Sequence, residues 1–481
     1  MCGLVLLTGP HSEQQISYCT ARIRHRGPDE QNIHIEENIA IGFQRLAING
    51  EQLNGRQPFE HKGWLSAING EIYNYQELEE QYKVSSHSCD TRTVLPLYLQ
   101  LKNKVIDKLD GFYAAVLIPP SRTHAICLRD PMGKKPLFVG KSNGNVFISS
   151  ELKSMESIDW FEAIPKGICS VDFRSGKVSL LQKPIPKRNR VTLTNALTKS
   201  VQKRLPSPHQ PVAVFLSGGL DSSIIASITS RLRNDTVYFT LGTTNNTETN
   251  DSSAAELVAK YLKLKNVITV PLPTEAELPC LIEKTVFATE SYNPSIISNG
   301  LATYLLAGAA RNLGIKVVLT GEGADELFGG YHQFLEHEPW RETRTQLIND
   351  MAFTELRRLD MACMANGIEP RCPFLDETVK ALSDKMSFKD LYNAEQNKLV
   401  LRRAFKGYLP TEVLQRKKIS CDVGSGIRGM VVKYLKQDNL SERDALLKIW
   451  KKHFDFDPLQ YYFHSYPAFD AVIDIRGTTH R

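Results

Sequence analysis

Val212-Ala-Val-Phe-Leu-Ser-Gly-Gly-Leu-Asp-Ser-Ser223 passes from an unbroken apolar run through a Gly-Gly turn into a helical pattern. On either side the texture repeats. Helical stretches Leu193 to Arg204, Ser222 to Arg233 and Ser252 to Lys263 alternate with short apolar runs at Val212 to Leu216, Val237 to Leu241, Val267 to Val270 and Lys316 to Leu319. Strand and helix in alternation predict a parallel sheet covered by helices on both faces. From about residue 340 the pattern is mostly helical and ends in an amphipathic tail.

The turn itself has chemistry. Glycines let the backbone close around a phosphate, and a helix start presents unpaired N–H groups to an anion. The spacing differs from a Walker loop, which ends in Gly-Lys-Ser/Thr. An ordinary strand-turn-helix corner would use the same residues, so a second segment matters. Gly321-Glu-Gly-Ala-Asp-Glu-Leu-Phe-Gly-Gly-Tyr331 follows the run Lys316 to Leu319 directly. Its carboxylates Glu322, Asp325 and Glu326 would stand at the carboxyl end of a parallel strand, where open α/β sheets bind ligands.

The other half reads differently. Residues 1 to about 185 hold short apolar runs between Gly, Pro, Asn and Asp, such as Ile39 to Phe43, Trp64 to Ile68, Ala114 to Ile118, Ala125 to Leu128 and Val146 to Ser149. They predict largely antiparallel sheet, with one helix over Thr91 to Lys102. Lys183-Pro-Ile-Pro-Lys-Arg-Asn-Arg190 reads as a basic linker, giving domains 1–185 and 191–481. At the start stands Met1-Cys2-Gly3. Removal of Met1 would place a thiol and a free α-amine on Cys2, which is a nucleophile with its own base.

Composition narrows the class. A chain of 481 residues with 42% hydrophobic and 23% charged residues is an ordinary globular protein, long enough for two or three cores. A net charge of +6 without a basic tail does not suggest a nucleic-acid footprint. Nine scattered cysteines with no C-x-x-C pair argue against a disulfide framework or a zinc site, and for a reducing compartment. Leu4 to Leu7 is too short for a signal sequence, and no run approaches a membrane span, so a cytoplasmic protein is expected.

Arg24-His-Arg-Gly-Pro-Asp29, Arg45-Leu-Ala-Ile48, Asn69-Gly-Glu-Ile-Tyr-Asn74 and Arg129-Asp-Pro-Met-Gly-Lys-Lys-Pro-Leu137 accompany Cys2. With them the chain resembles the class II glutamine amidotransferases, and particularly the glutamine-dependent asparagine synthetases, over nearly its whole length. The resemblance implies an N-terminal Ntn-hydrolase-like αββα sandwich and a C-terminal parallel-sheet ATP-pyrophosphatase domain. It implies that Cys2 attacks glutamine while Asn69 and Gly70 hold the oxyanion. Arg45 would pair with glutamine's α-carboxylate, and Glu71 and Asp90 would receive its α-ammonium. In the second domain Leu216, Ser217, Gly218, Gly219, Asp221, Ser222, Leu241 and Gly321 would bind ATP, with Asp221 and Asp325 holding Mg2+. Glu322 would act near the activated intermediate, and Lys418 would stabilise charge as aspartate attacks the α-phosphate. Glu355 aligns loosely with an aspartate of the family.

The implied reaction uses glutamine, ATP and aspartate, and passes ammonia through an interior channel to β-aspartyl-AMP. A homodimer is left open. Three positions depart from the family: Arg92 and Asn293 where it has acidic residues, and Ser298 where it has an arginine. Two alternatives follow. One is a related amide-forming or β-lactam-forming ligase with another carboxylate acceptor. The other is a non-catalytic nucleotide-binding protein.

Overall fold

The computed structural model describes residues 2–49, 54–85, 88–185, 191–242, 250–331, 340–393, 395–436 and 440–456. They form two compact units, one holding the chain up to Ile185 and the segment from Phe454, the other running from Pro186 to His453. The basic residues 186–190 of the expected linker and the tail beyond 456 lie outside the described residues.

The first unit contains β1 (Cys2–Thr8), β2 (Glu30–Ile35), β3 (Ile39–Arg45), β4 (Phe59–His61), β5 (Trp64–Ile72) and β6 (Gly111–Ile118). It continues with β7 (His124–Arg129), β8 (Phe138–Ser142), β9 (Asn145–Ser149), β10 (Ile158–Ala163), β11 (Gly167–Asp172) and β12 (Val178–Gln182). These make two six-stranded sheets, ordered β10-β8-β9-β1-β3-β2 and β12-β11-β7-β6-β5-β4. Every recorded pairing in them is antiparallel.

Alternation along the strands builds the layers. Leu4, Leu6, Ile39, Ile41 and Phe43 of one sheet meet Leu65, Ala67, Ala114, Val116 and Ile118 of the other in a shared core. The opposite face of the second sheet, with Ile68, Ile72, Tyr113, Ala115 and Leu117, packs on Leu78, Val94, Leu95 and Leu97. These last residues belong to α2 (Tyr75–Tyr82) and α3 (Val94–Leu101). On the first sheet lies α1 (Glu13–Arg22), so close to β3 that a Cβ on Gly42 would sit 1.8 Å from Thr20 Oγ1. The stack is helix, sheet, sheet, helix, the αββα sandwich expected from the sequence.

The second unit alternates as expected: α4 (Leu193–Arg204), β13 (Val212–Phe215), α5 (Leu220–Leu232), β14 (Val237–Leu241), α6 (Asn250–Leu262), β15 (Val267–Val270), α7 (Leu278–Thr289), α8 (Pro294–Asn312) and β16 (Val317–Leu319). Helices then dominate: α9 (Ala324–Phe328), α10 (Trp340–Asp350), α11 (Glu355–Met364), α12 (Glu377–Ser383), α13 (Phe388–Leu391), α14 (Leu399–Ala404), α15 (Thr411–Gln415), α16 (Cys421–Gly424), α17 (Ile427–Leu435) and α18 (Glu442–Trp450). Between α11 and α12 falls a strand that the pattern does not announce, β17 (Glu369–Arg371). It is three residues long, contains Pro370 and carries a Glu369–Arg371 ion pair of 2.6 Å, so it lacks any apolar signature. Its place at the sheet edge is where a proline is tolerated.

The sheet is parallel throughout, in the order β15-β14-β13-β16-β17. Connections run outward from β13 to β14 and β15, then return to the other side of β13 at β16. The direction of winding therefore reverses between β13 and β16, and a crevice opens beyond their carboxyl ends.

Candidate active sites

In the first unit Cys2 pairs in register with Arg45 across β1 and β3, so strand pairing alone sets thiol and guanidinium side by side. The backbone of Cys2 is held at both ends. Its N–H donates to Asn69 Oδ1 at 3.1 Å, and its carbonyl accepts from Arg26 Nε at 2.9 Å. Arg26 is fixed in turn by Glu151, 2.6 Å from its Nη1. Glu151 also meets Lys153 at 2.6 Å and His25 at 2.7 Å. Burial would raise the Glu151 carboxyl, but the charges of His25, Lys153 and Arg26 outweigh it and hold it well below the usual carboxylate range. The sequence reading missed this anchor, since Glu151 sits in an unremarkable Ser-Ser-Glu-Leu-Lys stretch.

With its oxygen on Cys2, Asn69 has a buried Nδ2 without a hydrogen-bond partner. A donor of that kind costs stability unless a ligand oxygen reaches it. Next to it Gly70 is compulsory, because a Cβ there would lie 2.3 Å from Phe112 O across the sheet. Cys2, Arg45, Gly70, Glu71 and Asp90 line one cavity of about 30 Å3. Arg45 reaches Glu30 at 3.2 Å, Glu71 accepts from Asn49 Nδ2 at 2.7 Å, and Asp90 accepts from Ile72 N at 2.8 Å. Arg92 faces away from this cavity and stacks over the Phe59 ring at 5.3 Å.

The second unit places the two carboxylate-bearing loops at the crevice. After β13, Ser217 Oγ and Ser222 Oγ lie 3.0 Å apart and Gly219 N donates to Ser217 Oγ at 3.4 Å, closing a compact loop at the start of α5. Gly218 adopts φ +69°, and a Cβ on it would lie 2.4 Å from Ala255 N. Its role is conformational, and it is the one expected ATP residue that does not line the cavity. Leu216, Ser217, Gly219, Asp221, Ser222, Leu241 and Gly321 do line it, with Glu322, Asp325, Glu355 and Lys418, around about 300 Å3. Gly321 is packed against the loop, where a Cβ would meet Ser222 N at 2.9 Å.

Lys398, unmarked in the sequence, holds the centre. Its Nζ lies 2.5 Å from Asp221 Oδ2 and 2.5 Å from Asp325 Oδ1, and it is almost wholly buried. Lys418 reaches the other oxygen of Asp325 at 2.7 Å. Burial acts to raise Asp325, yet Lys398 and Lys418 hold it below the usual range, whereas burial wins at Asp221 and raises it. Burial would lower Lys418, but Asp325 and Asp221 keep it above an ordinary lysine. Arg416 braces the loop from behind, bonding Ser217 O at 3.3 Å and Asp251 at 2.8 Å.

Asp221 Oδ1 is buried without a hydrogen-bond partner, a hard oxygen left open beside a second carboxylate. The pair fits Mg2+, which takes one or two carboxylates and completes its shell with phosphate oxygens and water. Among the described residues no cluster of three or more His, Cys, Asp or Glu could hold a metal without such help.

Elsewhere in the cavity Glu322 pairs with Arg358 at 2.7 Å, and Arg358 also donates to Thr303 at 3.2 Å. Burial would lower Arg358, but Glu322 and Glu355 hold it firmly protonated. Burial, reinforced by the Glu322 charge, raises Glu355. The two departures on α8 do not reach the cavity. Asn293 caps the helix through Ser295 N at 2.9 Å, and Ser298 donates to the buried Asp422.

The arrangement joins an amidotransferase domain with a cysteine at its second position to a nucleotide-binding α/β domain. A family model described as a glutamine amidotransferase domain matches residues 1–167, and one described as asparagine synthase matches 192–355 and 341–455. The chain is 32% identical over 476 residues to asparagine synthetase [glutamine-hydrolyzing] 2 of Oryza sativa subsp. japonica, covering 89% of this chain and 78% of the relative. It is 31% identical over 474 residues to the asparagine synthetase [glutamine-hydrolyzing] of Zea mays, with the same coverage. A probable asparagine synthetase [glutamine-hydrolyzing] of Acanthamoeba polyphaga mimivirus is 30% identical over 470 residues, covering 87% of this chain and 84% of the relative. The chain belongs to the glutamine-hydrolysing asparagine synthetase family.

Proposed function

We propose that the protein converts aspartate, glutamine and ATP into asparagine, glutamate, AMP and pyrophosphate. The observation that carries this reading is that one chain brings together two chemically different side-chain clusters, one around Cys2 and Asn69 and one around Asp221, Lys398 and Asp325. The alternative acceptors find no support in the cavity, since Asn293 and Ser298 lie outside it.

In the first centre the Cys2 thiol attacks glutamine's side-chain carbonyl, and its proton passes to the Cys2 α-amine exposed by loss of Met1. Asn69 Nδ2 and the Gly70 N–H hold the oxyanion, being aimed before charge develops. Arg45 holds the substrate carboxylate through a planar two-pronged contact, and Glu71 and Asp90 hold its ammonium. Ammonia leaves, and water hydrolyses the thioester to glutamate.

In the second centre the loop Ser217 to Ser222 and the start of α5 receive the ATP phosphates. Asp221 and Asp325 would hold the Mg2+ that neutralises the pyrophosphate. The β-carboxylate of aspartate attacks the α-phosphorus, pyrophosphate leaves, and Lys418 offsets charge on the transferring group. Ammonia then attacks the β-carbonyl, Glu322 accepts a proton, and AMP leaves with asparagine formed. The test is product analysis with ATP, glutamine and a panel of carboxylic acids, using aspartate labelled with 18O in its β-carboxylate. The expected outcome is one 18O in AMP and asparagine as product. ADP in place of AMP, or AMP formation with another acid and not with aspartate, overturns the proposal.

A further inference from the structure

Apart from both centres, the first unit carries a cavity of about 410 Å3, within the size range of small-molecule sites. Three separate segments send cations to it. His61 and Lys62 come from the β4–β5 turn, Lys83 from the end of α2, and Arg92 from the single helical turn Asp90–Thr93. Among the described residues Glu60 is the only carboxylate of the lining. Neither Lys62 nor Lys83 has an ion-pair partner among the described residues. Both adopt left-handed backbone, φ +51° and +54°, at the turns that present them. Among the described residues the Arg92 side chain makes one hydrogen bond, to Asn54 O at 3.3 Å, and leaves most of its fork uncommitted beside Phe59.

The positive field is felt within the site. Burial, then the charges of Lys62 and Arg92, push the His61 imidazole below its ordinary value. Three full charges converging on one hollow suit a doubly charged anion better than a single carboxylate. The remaining wall mixes apolar residues, Phe59 and Val84 with Leu95, Pro96 and Leu99 of α3, with the polar Ser85 and Gln100, and so suits a flat body that carries polar edges.

We propose that this cavity binds a phosphate monoester with a planar body, a nucleoside monophosphate in class, and that its occupancy tunes glutamine binding. The route is short. Arg92 shares its turn with Asp90 and Thr91, which line the glutamine cavity, so a phosphate that draws on the guanidinium draws on Asp90 as well.

Two readouts on the full-length protein test this, with AMP as the probe. In lysine-acetylation footprinting, AMP at ten times its dissociation constant slows labelling of Lys62 and Lys83 about tenfold, by simple occupancy. Adenosine does not protect, and inorganic phosphate protects only at higher concentration. In glutamine hydrolysis without ATP or aspartate, AMP shifts the KM for glutamine at least about threefold, of the order of ordinary allosteric couplings. The Lys62→Glu/Lys83→Glu variant retains the basal KM and kcat and loses that shift. Unchanged labelling at millimolar AMP, equal protection by adenosine, or a KM shift that survives the double reversal overturns the proposal. Protection without any KM shift overturns the coupling and leaves the binding site standing.

Discussion

Replacing Lys398 with Met removes the cation that bridges Asp221 and Asp325, each 2.5 Å from its Nζ, and leaves only Lys418, 2.7 Å from Asp325, beside them. Methionine keeps the length and apolar stem, so packing is nearly preserved while two buried carboxylates lose their common counter-charge. Removing one partner of a buried ion pair typically costs about 3–5 kcal/mol. For a unit of this size each kcal/mol lowers Tm by about 2–4 °C, so the second unit should unfold roughly 6–20 °C earlier. Mg2+ without nucleotide should then stabilise the variant more than the parent, because the same oxygens become available to a divalent ion. At a hundredfold excess over its dissociation constant the gain is about 2.7 kcal/mol. Differential scanning calorimetry with and without Mg2+ measures both effects. A variant with the parent's Tm, or one that Mg2+ stabilises no better, would show that Lys398 is not the counter-ion of this pair.

Cys2→Ala should abolish asparagine formation from glutamine while ammonium-driven formation persists, as read by product assay with each nitrogen source; joint loss in a folded variant refutes separate centres. Lys418→Ala should leave ATP binding measurable by calorimetry but slow AMP and pyrophosphate release by about 10²–10³, the usual cost of one lost transition-state contact. Burial pushes Asp251 up to about 6 despite Arg416. The folded state therefore keeps this proton at pH values where the unfolded chain has released it, and stability from this group falls as pH rises from about 4 to about 6, by up to about 3 kcal/mol. The Tm of Asp251→Asn relative to the parent should accordingly rise across that window; a fall refutes the assignment.

The strands that build both sheets were legible because burial on both faces leaves unbroken apolar runs, as at Val212 to Phe215 and along β6, where every residue is buried. β17 was not, since an edge strand of Glu-Pro-Arg is held by one neighbour and carries no hydrophobic pattern. Short contiguous loops that reach the cavity, such as Ser217 to Ser222 and Gly321 to Asp325, announce themselves by their turn chemistry. Lys398, Arg358 and Glu151 do not. They act on partners 177, 36 and 125 positions away, and nothing local distinguishes a buried lysine bridge from a solvated lysine. The charge lost at Asn293 and Ser298 was visible, but its answer, a helix cap and a bond to Asp422, required the fold.

Glu151 has a consequence for how this protein can change. Its carboxylate serves Arg26, Lys153 and His25 at once, and through Arg26 it fixes the Cys2 carbonyl. Glu151, Arg26 and Lys153, all wholly buried, cannot be exchanged alone without stranding charge in the core, a penalty of about 3–5 kcal/mol against a total stability of about 5–15 kcal/mol. Single mutational steps away from the present arrangement therefore pass through poorly folded chains. The lineage can drift freely at the rims of its two cavities while the seat of Cys2 stays locked, so change comes more easily to the walls of these hollows than to the backbone that holds the thiol.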